Sequence, residues 1–309
     1  MTLDALNRSG VARPPTRDLG LMAVALLAVS TSGPLIAATA VPALAIAFWR
    51  NAMGGAVLLP VALVRNRAEL RGLSARERRL ALLAGLLLGL HFATWIPAIP
   101  YTSVASATAL VATQPVWSAL LGRIRGERIG RQAWVGIAIA LCGALLLTGA
   151  DLQVSGKALL GDGLALLGGV FAAAYMTAGS EVRRSVSTTA YTAVCYSTTA
   201  LLLLVTCVVG RQQLSGYDGR DWLKLVALTA GAQLLGHSLF NAVLRTTSPT
   251  VVSLSILFEI PGAAVIAALF VSGQHVPWLA IPSAALLVTG LAVVIRAGTR
   301  TTTPSVPVE

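Results

Sequence analysis

The feature that most constrains this chain is a series of ten apolar runs, each close to 20 residues long and separated by short polar segments. A helix that crosses about 30 Å of hydrocarbon needs roughly 20 apolar residues, and a helix satisfies its own backbone hydrogen bonds there. The runs therefore predict an all-α polytopic membrane protein with ten transmembrane helices in a lipid bilayer. They cover residues 19–37, 42–64, 80–99, 103–122, 132–149, 161–180, 189–209, 222–243, 248–271 and 277–295.

Composition excludes several other classes of protein. Charged residues make up 11% of the chain and hydrophobic residues 56%, which leaves too little charge to cover the surface of a soluble domain. An ordinary soluble enzyme, a disordered chain and a secreted disulfide scaffold are therefore excluded.

The net charge of +11 is explained by where the basic residues lie. Of the 23 Lys and Arg residues, 18 fall between the runs on one side, four fall on the other side and Arg50 lies inside the second run. The positive-inside rule then predicts cytoplasmic N- and C-termini. We expect no nucleic-acid partner, and we expect a multi-pass location in the inner or plasma membrane of the cell.

The second half of the chain repeats the first at an offset of 146 or 147 residues. Four matched pairs carry the same residue type: His91 and His237, Gly85 and Gly231, Pro115 and Pro261, Gly143 and Gly290. Because five helices is an odd number, the second copy must enter the membrane upside down, as in many secondary transporters. The predicted divisions are a first repeat at 18–149, a linker at 150–160, a second repeat at 161–296, and cytoplasmic tails at 1–17 and 297–309.

Motifs for cofactor chemistry are missing from the sequence. It contains no P-loop, no GxGxxG after a strand and no HExxH. The three cysteines lie in apolar runs without ligand-type spacing, and the third histidine, His275, lies in a predicted outside loop. We therefore predict no cofactor, no metal site and no ATP-driven pump within this chain.

Several short motifs follow one another at regular places along the chain. They are Ala47-Phe48-Trp49-Arg50, Tyr101-Thr102-Ser103, Gln114-Pro115-Val116-Trp117, Gly126-Glu127-Arg128, Gly136, Gly143 and Glu259-Ile260-Pro261. Their order and spacing resemble the EamA-type members of the drug/metabolite transporter superfamily. The resemblance covers about residues 18–296, and the chain departs from the family pattern at Gly273-Gln274, where a glutamate is common.

This resemblance implies a transporter whose helices 1, 3, 4, 6, 8 and 9 surround the substrate pathway. It places Thr113 and Tyr175 among the wall residues of that pathway. It also implies a structural or gating role for Arg50, which we favour over substrate contact. The prolines Pro34, Pro115 and Pro261, which lie within predicted spans, are assigned a structural or gating role as well.

Glu259 is the acidic residue nearest the middle of a predicted span. A charged side chain at mid-membrane costs about 2.5–3.5 kcal/mol or more, so it needs a partner or a function. We consider a proton-coupling acid or an anchor for a substrate ammonium group, against a structural hydrogen bond or an ion pair with Arg50.

His91 and His237 occupy matched positions, and Trp95 and Asn241 follow them by four residues on the same helix faces. Two matched polar faces are what a midplane cavity requires. Each histidine can also bond a carbonyl group of a neighbouring helix.

We predict a secondary transporter that exports a small metabolite, amino-acid-like or drug-like compound by alternating access, with protons as a candidate coupling ion and a homodimer as a candidate assembly. We do not expect an enzyme. Two alternatives stay open: a membrane-embedded enzyme using His91, His237 and Glu259, and a scaffold that transports nothing. The expected pathway residues are His91, Trp95, Thr113, Tyr175, His237, Asn241 and Glu259.

Overall fold

A computed structural model describes residues 14–98, 101–102, 104–148, 156–270 and 278–299. The regular elements of these ranges are helices. They are α1 (Thr16–Ser30), α2 (Ser32–Ala37), α3 (Ala43–Arg65), α4 (Arg67–Gly72), α5 (Ala75–Ala98), α6 (Val104–Val111), α7 (Gln114–Ile124), α8 (Arg131–Thr148), α9 (Gly156–Val182), α10 (Thr188–Val209), α11 (Gly219–Leu228), a π-helical segment (Thr229–His237), α12 (Ser238–Val243), α13 (Pro249–Ile256), α14 (Glu259–Phe270) and α15 (Ala280–Thr299).

Eight helical segments of the described residues are long and apolar enough to cross a membrane, which makes the chain a multi-pass membrane protein. The fourth predicted span consists of two helices of 8 and 11 residues, α6 and α7, and α8 has a shorter apolar stretch, Arg131–Leu146. The count of ten spans therefore stays a prediction, as does the cytoplasmic side of the termini. The eight segments are Thr16–Ile36, Ala43–Arg65, Ala75–Ala98, Gly156–Val182, Thr188–Val209, Gly219–Val243, Pro249–Ile266 and Ala280–Ala297.

Parts of the predicted divisions lie outside the described residues. These parts are residues 1–13 and 300–309 of the tails, residues 149–155 around the linker, and residues 271–277, which include the motif Gly273-Gln274 and His275.

Small residues bring the helices into close contact, as is usual in membranes, where burial of apolar surface does not drive helices together. A Cβ atom added at Gly290 would lie 2.5 Å from the Gly136 carbonyl oxygen, and one added at Gly136 would lie 2.7 Å from the Gly290 carbonyl oxygen. At Gly85, an added Cβ would lie 2.7 Å from the Cys195 carbonyl oxygen. The pairs α8–α15 and α5–α10 are therefore packed backbone against backbone.

The helix directions agree with an inverted relation between the two halves. Gly136 lies against Gly290 and Val294, whereas Gly143 lies against Ser283 and Leu286, so α8 and α15 run antiparallel. The fifth helix of the first half thus packs on the last helix of the second half. Contacts of this kind between the halves hold the walls of the site described next.

Candidate functional site

Two helices are broken at matched places, and each break is followed by a polar residue. The helix α6 ends at Val111 and α7 begins at Gln114; likewise α13 ends at Ile256 and α14 begins at Glu259. Pro115 and Pro261 follow closely in the first turns of the new helices, where a missing N–H group costs no helical hydrogen bond. The chain therefore restarts a helix at both points, and first-turn N–H groups bond to carbonyls of the break itself: Val116 N to Thr113 O at 2.9 Å, and Ile260 N to Leu257 O at 3.2 Å.

A cavity of about 630 Å³ lies beside both breaks. This volume is within the range of small-molecule sites, and most of its lining side chains are apolar. It extends from Gln114, Met176 and Ser253 at its floor to the surface-exposed Ala38.

The structure brings most of the predicted site residues together around this cavity, but not all of them. Thr113, Pro115, Asn241 and Pro261 do not line it. Those that line it are Pro34, Arg50, His91, Trp95, Tyr175, His237 and Glu259.

Glu259 is half-buried in the cavity wall as the first residue of α14, where the helix dipole favours a negative charge. Its carboxylate has no hydrogen bond or ion pair to any residue in the described ranges. No Arg50 nitrogen lies within 4.0 Å of its oxygens, which is the limit for an ion pair. The two charged groups share one cavity without direct contact.

Arg50 is only 2% exposed and is held by neutral partners. Its Nε donates to Gln233 Oε1 at 2.9 Å and its Nη1 donates to Ser32 Oγ at 3.4 Å, while its guanidinium carbon lies 5.0 Å from the centre of the Phe92 ring. Gln233 Nε2 in turn donates to Asn51 Oδ1 at 3.1 Å. Among the described residues, the Nη2 group has no hydrogen-bond partner.

The two histidines line the same cavity in different states of hydrogen bonding. His91 Nδ1 lies 2.9 Å from the Gly168 carbonyl oxygen, to which it must donate, so its Nε2 is left as an acceptor in the neutral ring. The His91 ring stacks on Trp95 at 5.8 Å with 10° between the planes. His237 Nδ1 and Trp95 Nε1 have no hydrogen-bond partner in the part of the chain that the structure describes.

Asn241 and Thr113 act behind the wall. The buried Tyr175 donates its hydroxyl to Asn241 Oδ1 at 2.7 Å, and Asn241 lies 3.4 Å from the Tyr196 hydroxyl. Thr113 Oγ1 accepts from Trp117 Nε1 at 3.0 Å and donates to the Leu110 carbonyl at 2.6 Å. The contact with Asn241 orients Tyr175. The bond from Thr113 satisfies the Leu110 carbonyl at the C-terminal end of α6.

A polar layer at the floor of the cavity was not predicted from the sequence. Gln114 Nε2 donates to Ser253 Oγ at 3.1 Å and contacts Met176 Sδ at 3.2 Å, and the Ser118 and Ser253 hydroxyls lie 2.9 Å apart. The layer joins α7, α9 and α13 and separates the cavity from the arginine-rich end of the bundle. Gln114 belongs to the motif Gln114-Pro115-Val116-Trp117, but its partners Met176 and Ser253 are 62 and 139 residues away in the chain, so the sequence alone does not reveal the contact.

The arginine-rich end of the bundle, which carries Arg76, Arg125 and Arg184, is tied together by ion pairs. All three contact Glu181, with Arg184 at 3.2 Å and Arg76 at 3.5 Å. Burial raises the pKa of the nearby Glu127 carboxyl, although Arg125 opposes this shift. Gln114, Met176 and Ser253 line the cavity, whereas none of these three arginines does.

No group of three or more His, Cys, Asp or Glu side chains in the described ranges is arranged to hold a metal ion. In the same ranges, no hydrogen bond joins His91, His237 and Glu259 to one another, which the acid–base enzyme alternative requires.

The chain matches the EamA-like transporter family over residues 18–149 and 159–296, so it belongs to that family. A solved structure described only as "Crystal structure of protein" is similar in fold, with a TM-score of 0.77 and 21% sequence identity; the alignment covers 93% of this chain and 99% of that one. No curated protein sequence matches this chain. The protein is thus a member of a membrane transporter family.

Proposed function

We propose that this protein is a secondary active transporter of the inner or plasma membrane that exports a small metabolite, amino-acid-like or drug-like compound. The observation that carries the proposal is the carboxylate of Glu259, which has no bonded partner among the described residues and lies in the wall of a cavity of about 630 Å³ at a helix break. An ionisable group without a partner inside a membrane protein is costly, and such groups are functional by default.

In this proposal Glu259 binds either a proton or the cationic end of the substrate. The proton and the substrate compete for this one carboxylate while the cavity opens alternately to each side of the membrane. A proton gradient can therefore drive export of the substrate. The titratable and charged groups that face Glu259 across the cavity are Arg50, His91, Tyr175 and His237. Broken helices such as α6–α7 and α13–α14 support this mechanism, since transporters place their sites at such breaks.

The enzyme and scaffold alternatives have less support. The three groups that acid–base chemistry would use are not joined by hydrogen bonds, and a scaffold has no need of an unpaired carboxylate in a cavity. The family to which the chain belongs is a transporter family.

Flux in proteoliposomes tests the proposal. A pH gradient is imposed and the accumulation of a radiolabelled panel of amino acids, organic amines and lipophilic cations is measured, with orientation of the protein determined separately. We expect gradient-driven flux of at least one solute, abolished by a protonophore.

Glu259→Gln is expected to lower gradient-driven flux at least tenfold with the folded yield unchanged. The matched control is Asp218→Asn, an acid-to-amide change at the N-cap of α11, where Asn caps as well as Asp. Absence of flux for every solute under any gradient overturns the proposed function.

A further inference from the structure

The connection between α3 and α5 carries a group of positive charges that are not neutralised by the protein. Five arginines within residues 65–79 are exposed, and their side chains have no ion pair or hydrogen bond to any residue in the described ranges. The positive-inside rule explains the side of the membrane on which they lie, but it does not require them to be grouped or unpaired. These five residues form the basic patch: Arg65, Arg67, Arg71, Arg78 and Arg79.

The basic patch begins and ends on the lipid-facing sides of two membrane-spanning helices. Arg65 is the last residue of α3 and follows the exposed Val61 by four residues, so the two share a helix face. Arg78, in the first turn of α5, precedes the exposed Leu82 by four residues in the same way. Exposed apolar side chains on such helices face the acyl chains of lipids, and basic side chains at the helix ends reach the level of the headgroups.

The short helix α4 turns the two middle arginines of the patch outward. On one face of α4, the Glu69 carboxylate accepts hydrogen bonds from Ser187 N at 2.5 Å and Ser187 Oγ at 2.6 Å. The half-buried Leu70 packs against the hydrophobic core. Arg67 and Arg71, which are four residues apart, share the other face and are exposed. The bonds of Glu69 therefore fix the rotation of α4 and the direction of both arginines.

A phospholipid with a net negative charge satisfies both parts of this surface. Guanidinium groups bind phosphate oxygens with two parallel hydrogen bonds, and an arginine at a membrane surface attracts anionic lipids. The exposed apolar sides of α3 and α5 lie next to the patch and offer contacts to acyl chains, which a free phosphate ion would not use. A zwitterionic lipid carries its own ammonium group, so it gains less from five unpaired positive charges.

We propose that the basic patch binds the headgroup of an anionic glycerophospholipid whose acyl chains lie along the exposed sides of α3 and α5. The patch belongs to a connection that is attached to the second half of the chain, since Glu69 bonds to Ser187 and Glu77 accepts from the Ser185 hydroxyl. A lipid that binds the folded protein at this point stabilises it by mass action. The site is separate from the cavity and does not depend on the identity of the transported compound.

Native mass spectrometry of the full-length protein in detergent tests the proposal with lipids that differ only in the headgroup. Dioleoylphosphatidylglycerol is titrated against dioleoylphosphatidylcholine, and a dissociation constant is measured for each. The anionic lipid is expected to bind about tenfold or more tightly, because each basic side chain near the phosphate adds to the attraction. Inorganic phosphate is added as a competitor and is expected not to displace the lipid.

Two double variants with the same loss of charge separate a site from general attraction. Arg67→Gln with Arg71→Gln is expected to weaken phosphatidylglycerol about tenfold and to leave phosphatidylcholine within about twofold. The control is Arg128→Gln with Arg245→Gln, two exposed arginines that lie in connections between helices outside the basic patch. The control is expected to bind phosphatidylglycerol within about twofold of the wild type.

A photoreactive analogue of phosphatidylglycerol locates the site on the wild type, so the test does not depend on whether a variant folds. Relative to the same analogue of phosphatidylcholine, stronger labelling of peptides within residues 57–86 is expected. Four results would overturn the proposal: equal affinity for the two lipids, an equal loss in the two double variants, displacement by inorganic phosphate, or stronger labelling confined to other peptides.

Discussion

The two helix breaks have the same geometry and opposite polar chemistry. At the break between α6 and α7, Gln114 is 7% exposed and bonded to Ser253, with Met176 in contact. At the break between α13 and α14, Glu259 is half-buried, lines the cavity and has no bonded partner in the described residues. The residue that opens α7 thus lies at the floor of the cavity as a neutral amide, whereas the residue that opens α14 leaves a charge free for a ligand or a proton.

The backbone is broken in the same way at both places, so the side chains and their neighbours must account for the difference between the two breaks. Both breaks supply a helix N-terminus, so the local backbone alone cannot assign a function. The difference arises from neighbours in space, since Gln114 meets hydroxyl and thioether groups from α13 and α9, whereas Glu259 faces the cavity.

The largest effect is expected when a carboxylate is placed at the first break. Gln114→Glu puts a charge where an amide now donates to Ser253, and a buried charge without a partner costs about 3 kcal/mol or more. We expect this loss in the free energy of unfolding in detergent at pH 8, and a smaller loss at pH 5, because protonation removes the charge. If Gln114→Glu is as stable as the wild type at pH 8, the first break tolerates a charge as well as the second, and the contrast between the two breaks is wrong.

A second test replaces both polar residues by leucine. Gln114→Leu leaves the Ser253 hydroxyl without its donor and is expected to cost about 1–3 kcal/mol. Glu259→Leu removes a group with no partner, so stability is expected to stay the same or to rise by about 0.5–2 kcal/mol while gradient-driven flux is lost. Thermal unfolding and flux are measured on the same preparations, and a destabilised Glu259→Leu would mean that Glu259 is structural.

A third test uses Glu69, an acid at the arginine-rich end that is fully bonded, as the counterpart of Glu259. Burial alone would raise the pKa of the Glu69 carboxyl. Three hydrogen bonds oppose this effect: Ser187 N donates at 2.5 Å, Ser187 Oγ donates at 2.6 Å, and Asn66 also donates. Together with the nearby positive charge of Arg183 they outweigh burial, so the pKa of Glu69 lies below its ordinary value.

Because the folded-state pKa of Glu69 is depressed, its contribution to stability is full above pH 4.5 and is lost as the pH falls through the lower folded value. Glu69→Gln should therefore cost about 1 kcal/mol at pH 7 and less at pH 3. The free energy of unfolding of wild type and variant is measured at both pH values. A difference between the two proteins that is the same at pH 7 and pH 3 would show that the charge of Glu69 does not stabilise the fold.

The smallest effect is expected from the prolines that follow the breaks. Pro115→Ala and Pro261→Ala each change a first-turn position whose N–H group has no helical partner, so each should alter stability by less than about 1 kcal/mol. Flux should be retained in both. A tenfold loss of flux in Pro261→Ala alone would show that the shape of the second break, and not the Glu259 side chain, carries the function.

The membrane class and the family could be predicted from the sequence, because run length, charge placement and motif order are local properties of a chain in a bilayer. The gathering of Arg50, His91, His237 and Glu259 around one cavity agrees with their prediction as unusual polar residues within apolar runs. Their individual roles stay proposals.

The contacts that distinguish those roles could not be predicted in the same way. Whether Arg50 reaches Glu259 or Gln233 depends on helix rotation, and Gln233 lies 183 residues away in the chain. The π-helical segment Thr229–His237 changes which side chains share a face with His237, which a regular period of 3.6 residues does not anticipate. Asn241 follows His237 by four residues in the regular helix α12, yet it accepts a hydrogen bond from Tyr175 and does not line the cavity.

The glycine contact between α8 and α15 bears on how closely the two halves can be joined. Each of the two family matches contributes one of these helices, and an added Cβ would lie 2.7 Å (Gly136) or 2.5 Å (Gly290) from a carbonyl oxygen of the other helix. A residue larger than glycine at either position would therefore push the two halves apart at this contact.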